Sequence, residues 1–401
     1  MNITAFAINP LYPDQVIGGS TKHLHNVAVH LGELGHKITI FSTRREDTAV
    51  AFRWHENVEI RPELTFKQPF PQPYETAPHN IAWNIQRVAE HLATADRFYM
   101  HDGELLFPPL YADKPAIVSL RDNVYPETLL GSFLFRGDAL IAIADYSRQV
   151  YLHTAGQFFP QLAERTITIN NGIDFDKFFP APPSPAIFDY VDVDPTAHDI
   201  LLHPHRPEPS KGLPQTIEVV DRLVREHGRV NLRVLVPQWF ASNLNLEVRA
   251  FAEQIEQEIA QRGLREHFIF HGWVPQSLMP DYYRLGDVTL ALGHFVEAFG
   301  NVPYESLACG TPAVVARVAT HRSLLPDDLI AKVHFNDHDT AAQITADLLR
   351  HKQRTSPATM SYLKAHYGIE TQLAAYAEVI LNTPKQSPLA YRLHPLDETT
   401  R

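Results

Sequence analysis

The sequence predicts an α/β protein with two Rossmann-like domains that face each other across a cleft. The chain has 401 residues, which is more than a single hydrophobic core usually holds. Short apolar runs alternate with helical patterns, as expected for parallel sheets with helices on both faces. A proline-rich segment over residues 176–198 interrupts this alternation, which then starts again. We therefore predict domains over residues 1–175 and 199–355, joined by this segment as a linker.

The first domain begins with an apolar strand over residues 2–8. A helix over 20–36 follows, with apolar residues at helical spacing on one face and Gly35 at its end. A second helix is predicted over 78–94. The remaining strands of this domain are predicted over residues 37–42, 96–102, 115–120, 139–144 and 165–174.

The second domain repeats the pattern after the linker. Its strands are predicted over residues 199–205, 232–237, 268–274, 287–292 and 312–317, and its helices over 213–227, 246–262 and 303–309. The chain then stays mainly helical to about residue 382 and ends in a polar tail that contains prolines. Residues 356–401 are therefore a separate C-terminal segment.

The composition excludes several classes of protein. A formal net charge of −11 argues against non-specific binding of nucleic acid, which needs a concentrated basic surface. The single cysteine, Cys309, excludes an internal disulfide framework and a zinc site built from cysteines, and its setting predicts a small buried residue in a helix. The chain does not begin with a basic, apolar leader and has no run of ~20 apolar residues, so we expect a cytoplasmic protein without a membrane span.

In open parallel sheets, ligands bind beyond the carboxyl ends of the strands, so the residues after each predicted strand are candidate site residues. After the first strand, Gly18, Gly19 and Ser20 open a helix. Adjacent glycines let a ligand approach the backbone closely, and the N–H groups of a helix start favour a phosphate or a reacting sugar. The pattern is neither GxGxxG nor GxxxxGKS/T, so it supports neither a nicotinamide site nor a P-loop. A plain loop in which Ser20 caps the helix is the alternative.

The first strand of the second domain leads into HPHRPEPSKGL, which places Arg206 and Lys211 before a helix. Two cations at this position can hold a diphosphate and stabilise the charge of a phosphate leaving group without a metal. An ordinary solvated loop is the alternative. His203 and His205 in the same stretch suggest a metal, but neither a carboxylate nor a third histidine stands at ligand spacing nearby. We therefore predict no metal site.

The stretch EAFGNVPYESLACGTP places Glu297 and Glu305 on either side of a helix start that Asn301 can cap. The N–H groups of Gly300, Asn301 and Val302 would then face anionic oxygens. This order of carboxylate, amides and carboxylate has the dimensions of a nucleotide sugar. A paired-carboxylate glycosidase is the chemical alternative, but a glutamate inside a helix suits a hydroxyl ligand better than proton transfer. Two unrelated exposed glutamates are the other alternative.

Together, these motifs resemble the retaining glycosyltransferases of the GT-B fold, the large group 1 or family 4 class. The resemblance runs in order over about residues 3–380. It is carried by GGSTKHLHNVAVHLGELGHKITIFS, INNGIDFDKF, HPHRPEPSKG, FHGWV and EAFGNVPYESLACGTPAVV. The last of these resembles an E-x7-E motif followed by an Ala-x-Gly-x-Pro turn. Each motif is weak alone, and the set is specific.

The resemblance implies three catalytic residues: Arg206 and Lys211 would hold the donor diphosphate, and Glu297 would contact the donor sugar. Glu305 would bind the ribose, and the segment 272–274 would lie beside the nucleotide base. The donor-binding residues that it implies are Gly18, Gly19, Gly272, Trp273, Val274, Gly300, Asn301, Val302 and Glu305. The leaving diphosphate would itself take the acceptor proton in a front-face displacement, so the resemblance implies no cofactor, metal or protein nucleophile. It also implies that the C-terminal helix crosses back to the first domain.

The acceptor side departs from the family pattern. Many members carry a histidine after the strand at 115–120, where this chain has Arg121 and Asp122. Either Arg121 replaces that histidine and binds an anionic group of the acceptor, or His101 and Asp102 after the preceding strand take the acceptor-side role. A histidine that only satisfies its own loop is the alternative for His101. The identity of the acceptor is therefore left open.

We predict a metal-independent, retaining enzyme that transfers a hexose-type sugar from a UDP- or GDP-sugar to a hydroxyl acceptor, with domain closure completing the cleft. A non-catalytic nucleotide-sugar-binding protein and a nucleotide-sugar epimerase or hydrolase are the alternatives. The presence of all four charged residues of the family motifs disfavours a non-catalytic binding protein; these are Arg206, Lys211, Glu297 and Glu305. The lack of an evident acid/base pair disfavours an epimerase or hydrolase. The helix at 78–94 carries one arginine and no lysine, so we do not expect peripheral membrane binding. The sequence does not predict the oligomeric state.

Overall fold

The computed structural model describes residues 1–7, 9–14, 16, 18–44, 50–65, 77–102, 108–111, 113–122, 126–205, 208–238, 246–294 and 297–392. Contacts divide the chain into two compact units. Unit 1 comprises Met1–Asn171 and Glu370–Arg401, and unit 2 comprises Gly172–Ile369. The chain therefore enters unit 2 once and returns to unit 1 at its C-terminal end.

Unit 1 contains an eight-stranded sheet. Its strands are β1 Asn2–Ala7, β2 Lys37–Thr43, β3 Phe52–His55, β4 Val58–Leu64, β5 Arg97–His101, β6 Ala116–Leu120, β7 Ala139–Ala142 and β8 Thr166–Thr168. They lie in the order β3-β4-β2-β1-β5-β6-β7-β8, with β3 antiparallel to β4 and the other pairs parallel. The strand order changes direction between β1 and β5, which is where open α/β sheets place their ligands.

Unit 2 contains a six-stranded sheet. Its strands are β9 Asp199–Leu202, β10 Leu232–Pro237, β11 Phe268–His271, β12 Val288–Ala291, β13 Ala313–Ala316 and β14 Ala331–Val333. They lie in the order β11-β10-β9-β12-β13-β14, and every pair is parallel. The order changes direction between β9 and β12. The predicted α/β class with two parallel sheets is confirmed.

Helices cover both sheets. Those of unit 1 are α1 Gly19–Glu33, α2 Pro78–Leu92, α3 Pro126–Leu134, α4 Asp145–His153 and α5 Leu162–Arg165. Those of unit 2 are α6 Leu213–Arg225, α7 Leu246–Gln261, α8 Met279–Leu285, α9 Asn301–Ala308, α10 His338–Arg350 and α11 Pro357–His366. The last helix, α12 Ile369–Asn382, buries Tyr376 and Ile380 in the core that β1 and α1 form in unit 1.

The hairpin of β3 and β4 was not predicted. Strand β4 alternates buried and half-buried residues, with Val58, Ile60 and Leu64 fully buried, and two turn residues separate it from β3. This alternation of period two is the signal of a strand with one face on the core, so the sequence did contain the information.

Several predicted boundaries differ from the structure. The strand predicted over 165–174 stops at Thr168, because the backbone beyond it leaves the sheet and Ile173 instead bridges Gly368 in unit 2. The segment 176–198 lies inside unit 2, where Ile187 and Val191 are fully buried. The helical pattern at 356–382 is two helices, α11 and α12, which belong to different units.

In the part of the chain that the structure describes, no helix combines the length and the hydropathy that a membrane crossing requires. Cys309 is the residue that ends α9, and it is buried as predicted. Burial raises the pKa of its thiol to about 12, so the residue acts as a small apolar side chain.

Candidate functional site

Unit 2 brings two of the predicted donor residues together at one edge of its sheet. Because β9 and β12 are neighbouring parallel strands, the segments that follow them leave the sheet at the same edge. The first segment carries Lys211 and the second carries Glu297. Arg206, the other predicted diphosphate ligand, lies outside the described residues.

Two glycines let these segments approach each other closely. A Cβ atom on Gly212, which has φ +90°, would lie 2.7 Å from Cα of Gly293. A Cβ atom on Gly293 would lie 2.6 Å from the carbonyl carbon of Lys211. Both distances are shorter than any real side chain tolerates, so a larger residue at either position would force the two backbones apart.

Lys211 and Glu297 form an ion pair beside this backbone contact. Lys211 Nζ donates to Glu297 Oε1 at 2.5 Å, and the two side chains keep 13% and 22% of their exposure. A partly solvated pair of this kind gains about 1 kcal/mol or less from its Coulomb attraction. A ligand can therefore replace this pairing. The ammonium would then bind a phosphate, and the carboxylate would bind hydroxyl groups.

Helix α9 begins four residues after Glu297. Gly300 precedes it in the left-handed conformation, with φ +74° and ψ 74°, and no side chain caps the helix. Asn301 is thus the first helical residue and not the cap that we predicted, because the glycine already makes the turn. The N–H groups of the first turn of an α-helix form its positive end. This helix start suits an anion.

Glu305 lies one turn further along α9 and is half-buried. Its Oε2 accepts a hydrogen bond from the Tyr283 hydroxyl at 3.2 Å. Burial, with Glu305 nearby, raises the pKa of Tyr283 well above its usual value, so the phenol keeps its proton and donates it. Tyr283 therefore holds the carboxylate in place, a contact that the sequence did not predict.

The segment 272–274 follows β11 at the edge of the sheet. Gly272 is exposed, Trp273 is 48% exposed, and Val274 is buried. His271 supports the turn, with Nδ1 at 2.8 Å from the Gly272 carbonyl oxygen and Nε2 at 3.1 Å from the Tyr282 hydroxyl. An exposed indole on a supported turn can stack against a planar ring such as a nucleotide base.

Three histidines of unit 2 carry no predicted role: His205 and His321, which lie near Lys211, and His203, whose ring lies 5.3 Å from that of His205. His203 is fully buried, and its Nδ1 lies 3.1 Å from the Thr216 hydroxyl oxygen. Burial lowers the pKa of His203 to about 3. Burial also lowers the pKa values of His205 and His321, and the positive charge of Lys211 lowers both further. Within the described residues, no group of three or more histidine, cysteine, aspartate or glutamate side chains could hold a metal ion.

In unit 1, the predicted glycines open α1 at the point where the strand order reverses. Gly18 has φ +85° and precedes the helix, and Gly19 is its first residue; both are exposed. Ser20 lies inside the helix and does not cap it. Its hydroxyl instead donates to Asp102 Oδ2 at 2.6 Å and lies 3.0 Å from His101 Nε2.

His101 is buried and held on both sides. Nε2 lies 3.0 Å from the Ser20 carbonyl oxygen, and Nδ1 lies 2.9 Å from the Tyr99 hydroxyl. Burial, and then the nearby Arg121, lowers the pKa of His101 to about 3, so the ring is neutral at pH 7. A neutral ring donates from Nε2 to Ser20 and accepts at Nδ1 from Tyr99, which fits both distances.

Asp102 adopts φ +72°, in the left-handed region. Its carboxylate accepts from the Ser20 hydroxyl and, at 3.1 Å, from the backbone N–H of Arg121. Burial raises its pKa to about 6 against the opposing effect of the Ser20 hydrogen bond. Asp102 therefore ties the start of α1 to the segment after β6.

Arg121 is 9% exposed and its guanidinium is engaged within unit 1. Nη1 donates to the Tyr376 hydroxyl of α12 at 3.2 Å, and Nη2 donates to Asn171 Oδ1 at 2.8 Å. The neighbouring Asp122 is half-buried, and its carbonyl oxygen accepts from the Tyr151 hydroxyl. The predicted acceptor-side residues thus form one connected network, in which a residue 255 positions away contacts Arg121.

Residues 193–359 match the model of the family described as Glycosyl transferases group 1. The chain is 28% identical over 234 residues to the D-inositol 3-phosphate glycosyltransferase of Xylanimonas cellulosilytica, covering 56% of this chain and 53% of the relative. It is 30% identical over 217 residues to the protein of the same name from Geodermatophilus obscurus, covering 53% and 46%. The chain spans about half the length of these curated relatives.

Solved structures share the fold over nearly the whole chain. A glycosyltransferase from Rickettsia africae has a TM-score of 0.72 at 17% identity, covering 95% of this chain and 99% of that one. A sucrose-phosphate synthase from Thermosynechococcus elongatus has a TM-score of 0.76 at 14% identity, covering 94% and 98%. Anabaena HepE, solved in complex with UDP, has a TM-score of 0.71 at 18% identity, covering 94% and 99%. The predicted GT-B fold and the resemblance to group 1 glycosyltransferases are confirmed.

Proposed function

Since residues 193–359 match the group 1 glycosyl transferases and the fold is of the GT-B type, we propose that this chain is a glycosyltransferase. It transfers a hexose-type sugar from a UDP- or GDP-sugar to a hydroxyl acceptor, with retention of configuration and without a metal. The observation that supports this most strongly is the Lys211–Glu297 ion pair beside the start of α9. It combines a cation, the positive end of a helix and a carboxylate at one sheet edge.

The donor opens this ion pair when it binds. The diphosphate takes Lys211 Nζ and the first amides of α9, because both carry positive charge and face the same edge. Glu297, released from the lysine, accepts hydrogen bonds from hydroxyl groups of the sugar. The exchange leaves neither charge unpaired, because the ammonium gains a phosphate and the carboxylate gains hydroxyl groups.

The reaction breaks the bond between sugar C1 and the oxygen of the β-phosphate. The acceptor oxygen forms its bond to C1 on the same face, and the acceptor proton passes to the departing diphosphate. Lys211 stabilises the negative charge that develops on this leaving group. No protein nucleophile takes part.

The remainder of the donor is bound by neighbouring elements of unit 2. Glu305, held by the Tyr283 hydroxyl, binds the ribose hydroxyls. Trp273 stacks on the base, since its ring is 48% exposed on a supported turn. A UDP-sugar agrees with Anabaena HepE, which was solved with UDP-glucose.

The names of the curated relatives guide the choice of acceptor compounds for the activity assay. These relatives are named for D-inositol 3-phosphate, a hydroxylated ring that carries an anionic group. Such a compound is therefore the first acceptor to try, beside neutral sugars.

Donor binding is tested by a thermal-shift screen of UDP, GDP, ADP and TDP and their common sugars. A ligand at ~100 Kd should add about 2.7 kcal/mol to the free energy of unfolding. If none of these compounds raises the melting temperature, the proposed donor site is wrong. With the donor so identified, NMR of the product reports the anomeric configuration, and an inverted product would contradict retention.

A further inference from the structure

We propose that His321 is a further residue of the donor site, where its Nε2 donates a hydrogen bond to the diphosphate of the nucleotide sugar. This inference rests on the proposed function and adds a ligand that neither the sequence motifs nor the comparisons assign.

The fold places His321 at the same sheet edge as the ion pair. It lies in the short 3-10 turn Ala319–Arg322, which follows β13, and β13 is the parallel neighbour of β12. The segments after β12 and β13 therefore leave the sheet side by side, the first carrying Glu297 and Gly300, the second carrying His321. The histidine is buried, with 4% of its surface exposed.

The imidazole edge fits against the glycine that precedes α9. A Cβ atom on Gly300 would lie 2.7 Å from His321 Cε1 and 3.0 Å from His321 Nε2. The ring therefore occupies the space that a side chain at position 300 would need. Nε2 faces the turn from which the first amides of α9 project, which is the position proposed for the diphosphate.

A tyrosine on α9 selects the tautomer of this ring. The Tyr304 hydroxyl lies 2.7 Å from His321 Nδ1, and both residues are buried. Burial raises the pKa of Tyr304 well above its usual value, so the phenol keeps its proton and donates it to Nδ1. Burial and the nearby Lys211 lower the pKa of His321 to about 4, so the ring carries a single proton at pH 7. That proton lies on Nε2, on the edge that faces Gly300.

The surroundings of Nε2 favour an anion. Lys211 lies within electrostatic reach of His321, because after burial it contributes to the lowered pKa of that histidine. Lys211 and His321 both contribute, after burial, to the lowered pKa of His205. His205 Nε2 is buried and has no hydrogen-bond partner among the described residues. Besides His321 Nε2, it is therefore a further polar atom near Lys211 that a bound ligand could satisfy. A diphosphate would meet the Lys211 ammonium, the positive end of α9 and the His321 N–H together. The neutral imidazole adds a donor without adding repulsion to Lys211.

The test compares the affinities of His321 variants for UDP and GDP by isothermal titration calorimetry. His321→Phe keeps a ring and removes the donor, and it should raise Kd at least tenfold. His321→Gln keeps an N–H group near the position of Nε2 and should stay within about threefold of the wild type. His267→Phe is the matched control. His267 is a buried histidine of unit 2, and its Nδ1 lies 3.0 Å from the carbonyl oxygen of Leu232. Leu232 is the first residue of β10, so His267 lies at the end of the strands opposite to the proposed site. His267→Phe should not change Kd.

A folded His321→Phe variant that binds as tightly as the wild type would overturn the proposal. If that variant does not fold, Tyr304→Phe decides the question, because it removes the hydroxyl that directs the proton to Nε2 and leaves the ring of residue 304. It should raise Kd about threefold, and an unchanged Kd would count against the proposal. A wild-type protein that binds neither UDP nor GDP contradicts the proposed function itself, whereas equal binding by wild type and His321→Phe contradicts only the role of His321.

Discussion

The two units hold charged side chains near the carboxyl ends of their strands in different ways. In unit 2, Lys211 and Glu297 pair with each other, and both keep part of their exposure. In unit 1, Arg121 is 9% exposed, and its terminal nitrogens donate to Tyr376 and Asn171 of the same unit. The first arrangement leaves charges that a ligand can recruit. The second uses its charge to fasten the C-terminal helix to the sheet.

The energetics of the two arrangements differ accordingly. A partly solvated ion pair contributes about 1 kcal/mol or less, so exchanging it for a ligand costs little. Removing one member of a buried hydrogen-bonded network takes a hydrogen bond from each of its partners, at about 1–3 kcal/mol for each buried group. A mutation in unit 2 should therefore affect turnover more than stability, and one in the unit 1 network should do the reverse.

The largest effect should follow from separating the two backbones in unit 2. Gly293→Ala places a Cβ atom 2.6 Å from the Lys211 carbonyl carbon and must displace that segment. A displacement of about 1 Å at a reacting centre can cost on the order of a hundredfold in rate, so turnover should fall at least that much. Steady-state kinetics with the donor found in the screen measures this.

Gly263→Ala is the matched control for Gly293→Ala. Gly263 has φ +69°, but a Cβ atom there meets nothing within 4 Å. The control should therefore lose about 1 kcal/mol of stability from backbone strain and keep its turnover. Full activity of Gly293→Ala would show that the close approach of the two segments does not position Lys211.

The second effect is on stability. Arg121→Ala should lower the free energy of unfolding by about 3 kcal/mol, because it leaves the buried Tyr376 hydroxyl and Asn171 side chain without this donor. Urea denaturation measures this, and Arg87→Ala, which removes a half-buried surface arginine of unit 1, should cost about 1 kcal/mol or less. If Arg121→Ala keeps its stability and only raises the KM of the acceptor, Arg121 binds the acceptor and does not fasten α12.

The third effect is the loss of turnover without a loss of stability that we expect for variants of the ion pair in unit 2. Lys211→Ala and Glu297→Ala should each lower turnover more than tenfold and change the unfolding free energy by about 1 kcal/mol or less, since their ion pair is partly solvated. Lys177→Ala breaks an exposed lysine–aspartate pair of the same unit and should leave both quantities unchanged. A Lys211→Ala variant with normal turnover but strongly reduced stability would assign the pair a structural role.

Much of the candidate donor site could be predicted from the sequence. The alternation of strands and helices predicts parallel sheets, and parallel sheets place ligands beyond the carboxyl ends of their strands. Lys211 and Glu297 stand in the segments that follow predicted strands, so their side of the sheet followed from local pattern alone. The β3–β4 hairpin was also readable, from the alternation of Val58, Ile60 and Leu64.

Other features depended on which segments become neighbours. The contact between Gly212 and Gly293 exists because β9 and β12 are adjacent, and local periodicity does not determine the order of strands in a sheet. The same adjacency, between β12 and β13, sets His321 against Gly300. The residues around these glycines and around His321 show no local pattern that predicts such a contact.

The sequence by itself determined the α/β class, the position of each site segment at the end of a strand, and the chemistry of the residues in those segments. Only the tertiary structure decided what each charge faces. Arg121 after a strand has the local pattern of a ligand-binding residue, yet α12 returns 255 residues later in the chain and supplies Tyr376 as its partner. The physical reason is that burial and hydrogen-bond partners are set by contacts distant in sequence, whereas periodicity and backbone preference are local.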